Sequence, residues 1–118
     1  MLPTHDTENG SPIIPNVNIY NIDASNDFSP IVDLEAYKNN NIDVVRFEYH
    51  ITNLTTDKEI QVLVPTIVIN GKESPSDWTI TCFTDDNKIA PDITSIIVFR
   101  ANMKSKLLEY GLAYKRGT

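Results

Sequence analysis

The sequence predicts an all-β fold, a sandwich or barrel of about seven short antiparallel strands. Apolar and polar residues alternate in several runs, as they do in strands that bury one face. Asparagine, aspartate, glycine and proline interrupt these runs about every 8 to 12 residues, a spacing typical of all-β domains. Long helical crossovers are missing from the pattern, which excludes a parallel α/β sheet.

The length and composition of the chain predict one domain. Its 118 residues are 41% hydrophobic and 22% charged, close to the averages of globular proteins that fold around a single core. Residues 1–16 contain three prolines and Gly10 among polar residues, so they are predicted to form a flexible leader. The single β domain is predicted to occupy residues 17–118.

The clearest predicted strand covers residues 43–52, where apolar and polar side chains alternate without a break. Residues 59–64 resume the alternation after a polar connector, which predicts a hairpin between the two runs. Pro65 then predicts a bulge, a bend or an edge position, because proline cannot donate to a strand ladder. The residues expected on the buried face of the first run are Val45, Phe47, Tyr49 and Ile51.

Shorter patterns predict the other strands. Residues 31–37 fit either a strand or a helical turn, and the Asn70-Gly71 pair predicts a tight turn. The apolar run over residues 93–100 is expected at the centre of a sheet, covered on both faces. Further strands are predicted over residues 17–22, 66–69, 78–83 and 112–115.

One helix is predicted near the end of the chain. Met103, Leu107 and Leu108 have a spacing that fits a helix. Gly111 would then provide the C-cap that commonly ends one. A short helix is therefore expected near residues 103–110.

The charge of the chain excludes some classes of partner. Its formal net charge of −6 disfavours nucleic acids and anionic lipid surfaces. The only basic cluster, near the end of the chain, is interpreted as a solvated face. No segment approaches the roughly 20 apolar residues of a membrane span, so no membrane insertion is expected. That basic cluster comprises Lys104, Lys106, Lys115 and Arg116.

The single cysteine and the two histidines do not form a catalytic pattern. Cys82 lies in an apolar run and is expected to behave as a small buried hydrophobe. His5 and His50 are far from it in the sequence, so neither is expected to activate the thiol. No glycine-rich phosphate loop or zinc-ligand spacing is present. The sequence therefore predicts no catalytic, cofactor or metal site, and the chain is not expected to be an enzyme.

Acidic loops and exposed aromatic residues leave weaker alternatives open. Carboxylate and amide oxygens in sandwich loops can bind Ca²⁺, although turn formation explains these residues more simply. Tyr37, Tyr110 and Tyr114 are candidates for exposed contacts, whereas Phe47, Tyr49, Trp78 and Phe99 are expected in the core. The loop residues concerned are Asp85, Asp86, Asn87 and Asp92, together with Asp23, Asn26 and Asp27.

Several segments resemble immunoglobulin-like domains of Gram-positive bacterial lipoproteins and surface proteins. Residues 47–62, FEYHITNLTTDKEIQV, resemble a strand followed by the Asn-x-Thr and Asp-Lys-x-Ile-x-Val motifs of that family. VINGKE at residues 68–73 resembles the next strand and its turn. IAPD followed by IIVF resembles a later turn and strand, with Asp92 where the family usually has glycine. LLEYGL at residues 107–112 resembles the closing element.

The resemblance implies an immunoglobulin-like antiparallel sandwich without catalytic activity. The leading hypothesis is an interaction or spacer module on a bacterial cell surface, as a mature segment whose signal peptide is not seen at Met1. Its contacts would use loops or an edge strand, with Pro65 and the loop of residues 70–77 as the first candidates. The alternative is an intracellular or phage-encoded acidic inhibitor that binds a basic protein partner. A small hydrolase is the least favoured interpretation.

Overall fold

The computed structural model describes residues 6–8, 11–13, 17–39 and 42–117, and the predicted all-β class is confirmed. These residues form twelve strands and one turn of 3-10 helix, η1, without an α-helix. The elements are β1 (Asp6–Glu8), β2 (Ser11–Ile13), β3 (Val17–Ala24), β4 (Ile31–Asp33), η1 (Glu35–Tyr37), β5 (Val44–Asn53), β6 (Ile60–Gln61), β7 (Thr66–Ile69), β8 (Lys72–Glu73), β9 (Thr79–Cys82), β10 (Lys88–Ile89), β11 (Ile93–Asn102) and β12 (Leu107–Gly117).

The strands form two main sheets. The larger has the order β3-β5-β11-β12-β9, and the smaller has the order β4-β7-β8. A short antiparallel pair joins β6 to β10. β1 pairs with β2 inside the segment predicted to be a leader. The division into a leader and one domain stays a prediction.

The first half of the domain winds in a solenoid-like way. β3 lies parallel to β5, Phe28 forms a parallel bridge with Val62, and β4 lies parallel to β7. Because all three pairings are parallel and follow the same order, the chain makes two turns side by side. Residues 17–33 form the outer turn, named here the first coil, and residues 44–69 form the second coil.

The prediction of a wholly antiparallel arrangement is therefore wrong. β9 also lies parallel to β12, whereas β11 is antiparallel to both of its neighbours, β5 and β12. Alternation of polar and apolar residues reports which face of a strand is buried. It has the same form for either direction of the neighbouring strand, so it could not predict the parallel pairings.

β5 lies at the centre of the larger sheet, between β3 and β11. Its predicted buried face is confirmed, since Val45, Phe47, Tyr49 and Ile51 are at most 8% exposed. β11 is also central, as predicted, although only one of its faces is fully buried. The predicted hairpin between β5 and residues 59–64 is wrong, because Ile60–Gln61 pairs with β10.

Asn53 explains why the chain leaves the larger sheet after β5. The residue is buried, and its Nδ2 donates to the carbonyl oxygens of Lys58 and Ile89, both at 2.9 Å. Its Oδ1 accepts from the backbone N–H of Thr55 at 2.9 Å and from the Thr55 hydroxyl at 2.7 Å. These bonds fold the polar connector into a corner, and β6 begins outside the larger sheet, where it pairs with β10.

The predicted turns agree with the structure. The chain has no strand at residues 63–65, so the interruption predicted at Pro65 is present between β6 and β7. Asn70 and Gly71 have φ values of 55° and 73°, and they join β7 to β8. Residues 31–37 contain both of the structures predicted as alternatives there: the strand β4 comes first, and the helical turn η1 follows it.

The helix predicted near residues 103–110 is wrong. Residues 103–106 form a turn between β11 and β12, and Asn102 Oδ1 accepts the backbone N–H groups of Lys104 and Ser105 at 3.0 and 2.9 Å. The apolar residues at 108 and 110 alternate inward from β12 instead. Gly111 is not a C-cap: it lies in β12, where an added Cβ would come within 2.7 Å of the Phe83 ring.

We expect Asn53→Ala to lower the free energy of unfolding by about 3 kcal/mol, because the buried bond to the Ile89 carbonyl oxygen and the two bonds from Thr55 are lost. Chemical denaturation followed by circular dichroism measures the loss. Thr56→Ala is the matched control, since Thr56 is exposed in the same connector, and it should change stability by less than about 0.5 kcal/mol. Equal stabilities for the two variants would show that the corner does not depend on Asn53.

Candidate functional site

The outer edge of the first coil is the candidate site. β3 and β4 are end strands of their sheets, and among the described residues neither has a strand beyond it. The backbone N–H of Leu54 donates to Ala24 O at 2.8 Å, so the polar backbone groups of Ala24 point toward β5. Successive residues of a strand point these groups to opposite edges. Ile19, Asn21 and Asp23 therefore present theirs at the outer edge.

An open apolar groove of about 580 Å³ lies between the two end strands. It is named here the edge groove. Ile19 is 57% exposed, Tyr20 45% and Ile31 59%, which is unusual for large apolar side chains that lie so close together. The groove is lined by Ile19, Tyr20, Asn21, Ile22, Phe28, Ser29, Ile31 and Tyr49.

Tyr49 holds the two sheets together at the bottom of the edge groove. Its hydroxyl donates to the carbonyl oxygen of Ile31 in β4. Its ring packs edge-on against Tyr20, with centroids 5.2 Å apart, and is tilted against the Phe99 ring, with centroids 4.7 Å apart. Burial of the phenol, with the nearby Tyr20 and Asp33 groups, raises the pKa of Tyr49 to about 12. The phenol therefore stays protonated, as a donor, at neutral pH.

Acidic residues lie beside the edge groove, although none lines it. Asp23, the next-to-last residue of β3, has an exposed side chain. Asp27 Oδ1 accepts the backbone N–H of Gln61, and Asp33 Oδ1 accepts that of Glu35, both at 3.0 Å. In a chain of net charge −6 these carboxylates favour a positively charged partner over a negative one.

The apolar residues at the start of β3 do not mark its buried face. Val17 and Ile19 suggest one apolar face, but both side chains are exposed. The side chains of Tyr20 and Ile22 contact or pack against the core instead, and Ala24 is buried. The missed signal is the second alternation, at residues 20, 22 and 24, which makes both faces of β3 partly apolar.

The three tyrosines proposed as exposed contacts have different environments. Tyr37 is half-buried, and its hydroxyl accepts from Asn18 Nδ2 at 2.9 Å. Tyr110 is only 4% exposed, so its prediction as a surface contact is wrong. The side chain of Tyr114 lies outside the described residues. Among the residues expected in the core, Phe47, Tyr49 and Phe99 are buried, and the half-buried Trp78 packs against the core cluster.

Cys82 is half-buried among polar neighbours. Its Sγ lies 3.2 Å from both the carbonyl oxygen of Thr84 and Nδ2 of Asn87. Burial raises the pKa of the thiol, while hydrogen bonds to Thr84 and Asn87 lower it, and the net shift is downward. His50 instead contacts Glu48 Oε1 at 3.0 Å.

The acidic loops have the hydrogen bonds of ordinary turns. Asp86 Oδ1 accepts the backbone N–H of Lys88 at 3.0 Å, and Thr84 Oγ1 donates to Asn87 Oδ1 at 2.8 Å. Within the described part of the chain, no three residues among His, Cys, Asp and Glu converge as metal ligands. Calcium binding at Asp85, Asp86 or Asp92 therefore stays an untested alternative.

Comparisons with protein-family models, with curated proteins and with solved structures find no match for this chain. In the described ranges, no helix is long and apolar enough to cross a membrane. The edge groove is therefore the feature of the molecule from which a function can be inferred.

We expect Tyr49→Phe to lower the free energy of unfolding at neutral pH by about 1 kcal/mol, because Ile31 O loses its donor. The folded-state pKa of Tyr49, about 12, lies above its ordinary value of 10.0. Its contribution is therefore complete below pH 10 and is lost as the pH rises toward 12. Denaturation at a series of alkaline pH values measures this loss.

The difference in stability between the wild-type chain and Tyr49→Phe should shrink across that range. Every other tyrosine is present in both proteins, so subtracting the two curves isolates Tyr49. A difference that stays constant up to pH 12 would contradict the assignment.

Proposed function

We propose that this chain is a non-catalytic protein-interaction module that binds an extended segment of another protein along β3. The observation that carries the proposal is the outward-facing backbone of β3 beside an exposed apolar groove. An extended peptide added to a sheet edge gains affinity from backbone hydrogen bonds and specificity from alternate side chains. The edge of β3 and the edge groove offer both.

The geometry defines the chemistry of the partner segment. Its backbone would bond to Ile19, Asn21 and Asp23, the residues whose polar groups face outward. Every second side chain would then lie against Tyr20 and Phe28, so these positions should be apolar. The carboxylates beside the edge groove favour lysine or arginine at the ends of the segment. The partner is thus an extended, apolar segment with basic flanks.

We infer a bacterial cell-surface location for this module from the family resemblance. Asp92 stands where that family usually has glycine, and its φ of 59° is a value that glycine adopts readily. This agreement supports the resemblance at that turn.

The second candidate function is an acidic inhibitor of a basic partner inside a cell or a phage-infected cell. The acidic residues beside the edge groove favour it, and it would use the same edge. The genomic sequence upstream of Met1 distinguishes the two. A signal peptide with a lipobox supports the surface location, whereas a ribosome-binding site directly before Met1 supports the inhibitor.

The test uses peptides selected for binding to the full chain from a random display library. We expect Asn21→Pro to weaken the selected peptides at least about tenfold, because proline removes the outward N–H. Asn21→Gln retains that N–H and is the matched control. Proline is tolerated at strand edges, so circular dichroism should show both variants folded. Selected peptides that bind the two variants equally would contradict strand addition at β3.

The apolar side chains of the edge groove provide an independent prediction. We expect Ile19→Ser to change the free energy of unfolding by less than about 0.5 kcal/mol, since the side chain is exposed. Peptide affinity should nevertheless fall, because an apolar contact is lost. Val64→Ser is the control, since Val64 is 65% exposed and does not line the groove. The proposal is wrong if calorimetry gives both variants the same affinity.

A further inference from the structure

A second concave site lies where four connecting segments meet, and it shares no residue with the edge groove. The segments follow η1, join β7 to β8, precede β9 and join β11 to β12. The cavity has a volume of about 320 Å³ and is named here the lysine pocket. It is lined by Lys38, Asn39, Ile69, Asn70, Lys72, Pro75, Asp77, Trp78, Met103 and Lys106.

The lysine pocket is positively charged in an acidic chain. Lys38, Lys72 and Lys106 line it with one carboxylate, that of Asp77, whereas the whole chain has 10 basic and 16 acidic residues. Its other lining residues are mixed: Ile69 is buried and Trp78 and Met103 are half-buried, whereas two exposed asparagines are polar. Cations above an apolar wall suit a ligand that is itself anionic at one end and apolar at the other.

Two of the lysines are held in place by carboxylates. Lys106 Nζ lies 2.8 Å from Asp77 Oδ2, and Lys38 Nζ lies 3.0 Å from Glu35 Oε2. Glu35 Oε1 also accepts the backbone N–H of Gly71 at 2.8 Å, which ties η1 to the β7–β8 turn. These contacts position two ammonium groups at the rim of the pocket.

Lys72 is different from the other two. Among the described residues, no carboxylate lies within ion-pair distance of its ammonium group. An ammonium group has three donors, and one carboxylate contact does not saturate the other two lysines either. The lysine pocket therefore retains positive charge and donors for a ligand.

We propose that the lysine pocket binds a small carboxylate whose ring packs against Trp78 while its carboxyl group accepts hydrogen bonds from Lys72 and the neighbouring lysines. The cavity volume is at the lower end of the range for small-molecule sites, which fits a ligand with a single ring. An aromatic acid and a sugar acid share this chemistry. Both have a ring with an apolar face and one negative charge.

Trp78 provides a direct readout, because it is the only tryptophan in the chain. The full chain is titrated with benzoate and with glucuronate, and tryptophan fluorescence is followed. Benzamide and glucose, their neutral counterparts, and inorganic phosphate, a ringless anion, are the comparison probes. We expect one or both carboxylates to give a saturable change that weakens with added salt. The stronger of the two identifies the ligand as an aromatic acid or a sugar acid.

Charge-removing variants locate the bound carboxylate. We expect Lys72→Gln to weaken binding at least about tenfold. Lys104→Gln is the matched control, because Lys104 is exposed and does not line the pocket, and it should bind like the wild-type chain. Lys72 has no ion pair among the described residues, so its loss should leave the melting temperature unchanged. Asn21→Pro should leave carboxylate binding intact, which separates this site from the edge groove.

Four results would overturn the proposal. The first is the absence of saturation with both carboxylates, and the second is equal binding of the neutral probes. The third is an equal effect of Lys72→Gln and Lys104→Gln on affinity, which would mean that binding depends only on the net charge of the chain. Stronger binding of inorganic phosphate than of either carboxylate would likewise exclude a role for the ring.

Discussion

The structure depends on β5, because this strand takes part in both the parallel coils and the antiparallel part of the larger sheet. On one side β5 pairs in parallel with β3, and on the other it pairs antiparallel with β11. Its inward side chains, including Phe47 and Tyr49, form the centre of the hydrophobic core. The first coil can therefore stack on the domain only because β3 pairs with one edge of β5. The hairpin of β11 and β12 continues the larger sheet from the other edge of β5.

A single polar side chain decides where β5 ends. The side-chain amide of Asn53 donates hydrogen bonds to two carbonyl oxygens from separate segments, those of Lys58 and Ile89. Thr55 completes the corner with two bonds to Asn53 Oδ1. The Asn-x-Thr pattern in the sequence is thus a structural motif that directs the chain out of the larger sheet and toward the short pair of β6 and β10. Without that corner, the alternation of residues 59–64 would have favoured a hairpin on β5.

Burial could be predicted from the sequence, whereas strand pairing could not. The alternation at Val45, Phe47 and Tyr49 reports one buried face, and that face is correct. Alternation contains no information about which strand lies alongside or in which direction it runs, so the parallel coils were missed. In β3 two apolar alternations compete, at residues 17 and 19 and at residues 20, 22 and 24, and only tertiary packing selects one. The lysine pocket combines residues from four separate connections, and a sequence pattern cannot bring these together.

The two ends of the larger sheet show why β3 is the edge that suits a partner. β9 is short, and its exposed side chains, Thr79 and Thr81, are polar, as is common where proteins protect a sheet edge from unwanted pairing. β3 is eight residues long and exposes Val17, Ile19 and Tyr20. Stacked coils generally need a polar cap at their ends, because an uncovered coil leaves apolar surface in water. Along β3 the first coil instead alternates polar residues with exposed apolar ones, and an added strand from a partner would cover the apolar side chains.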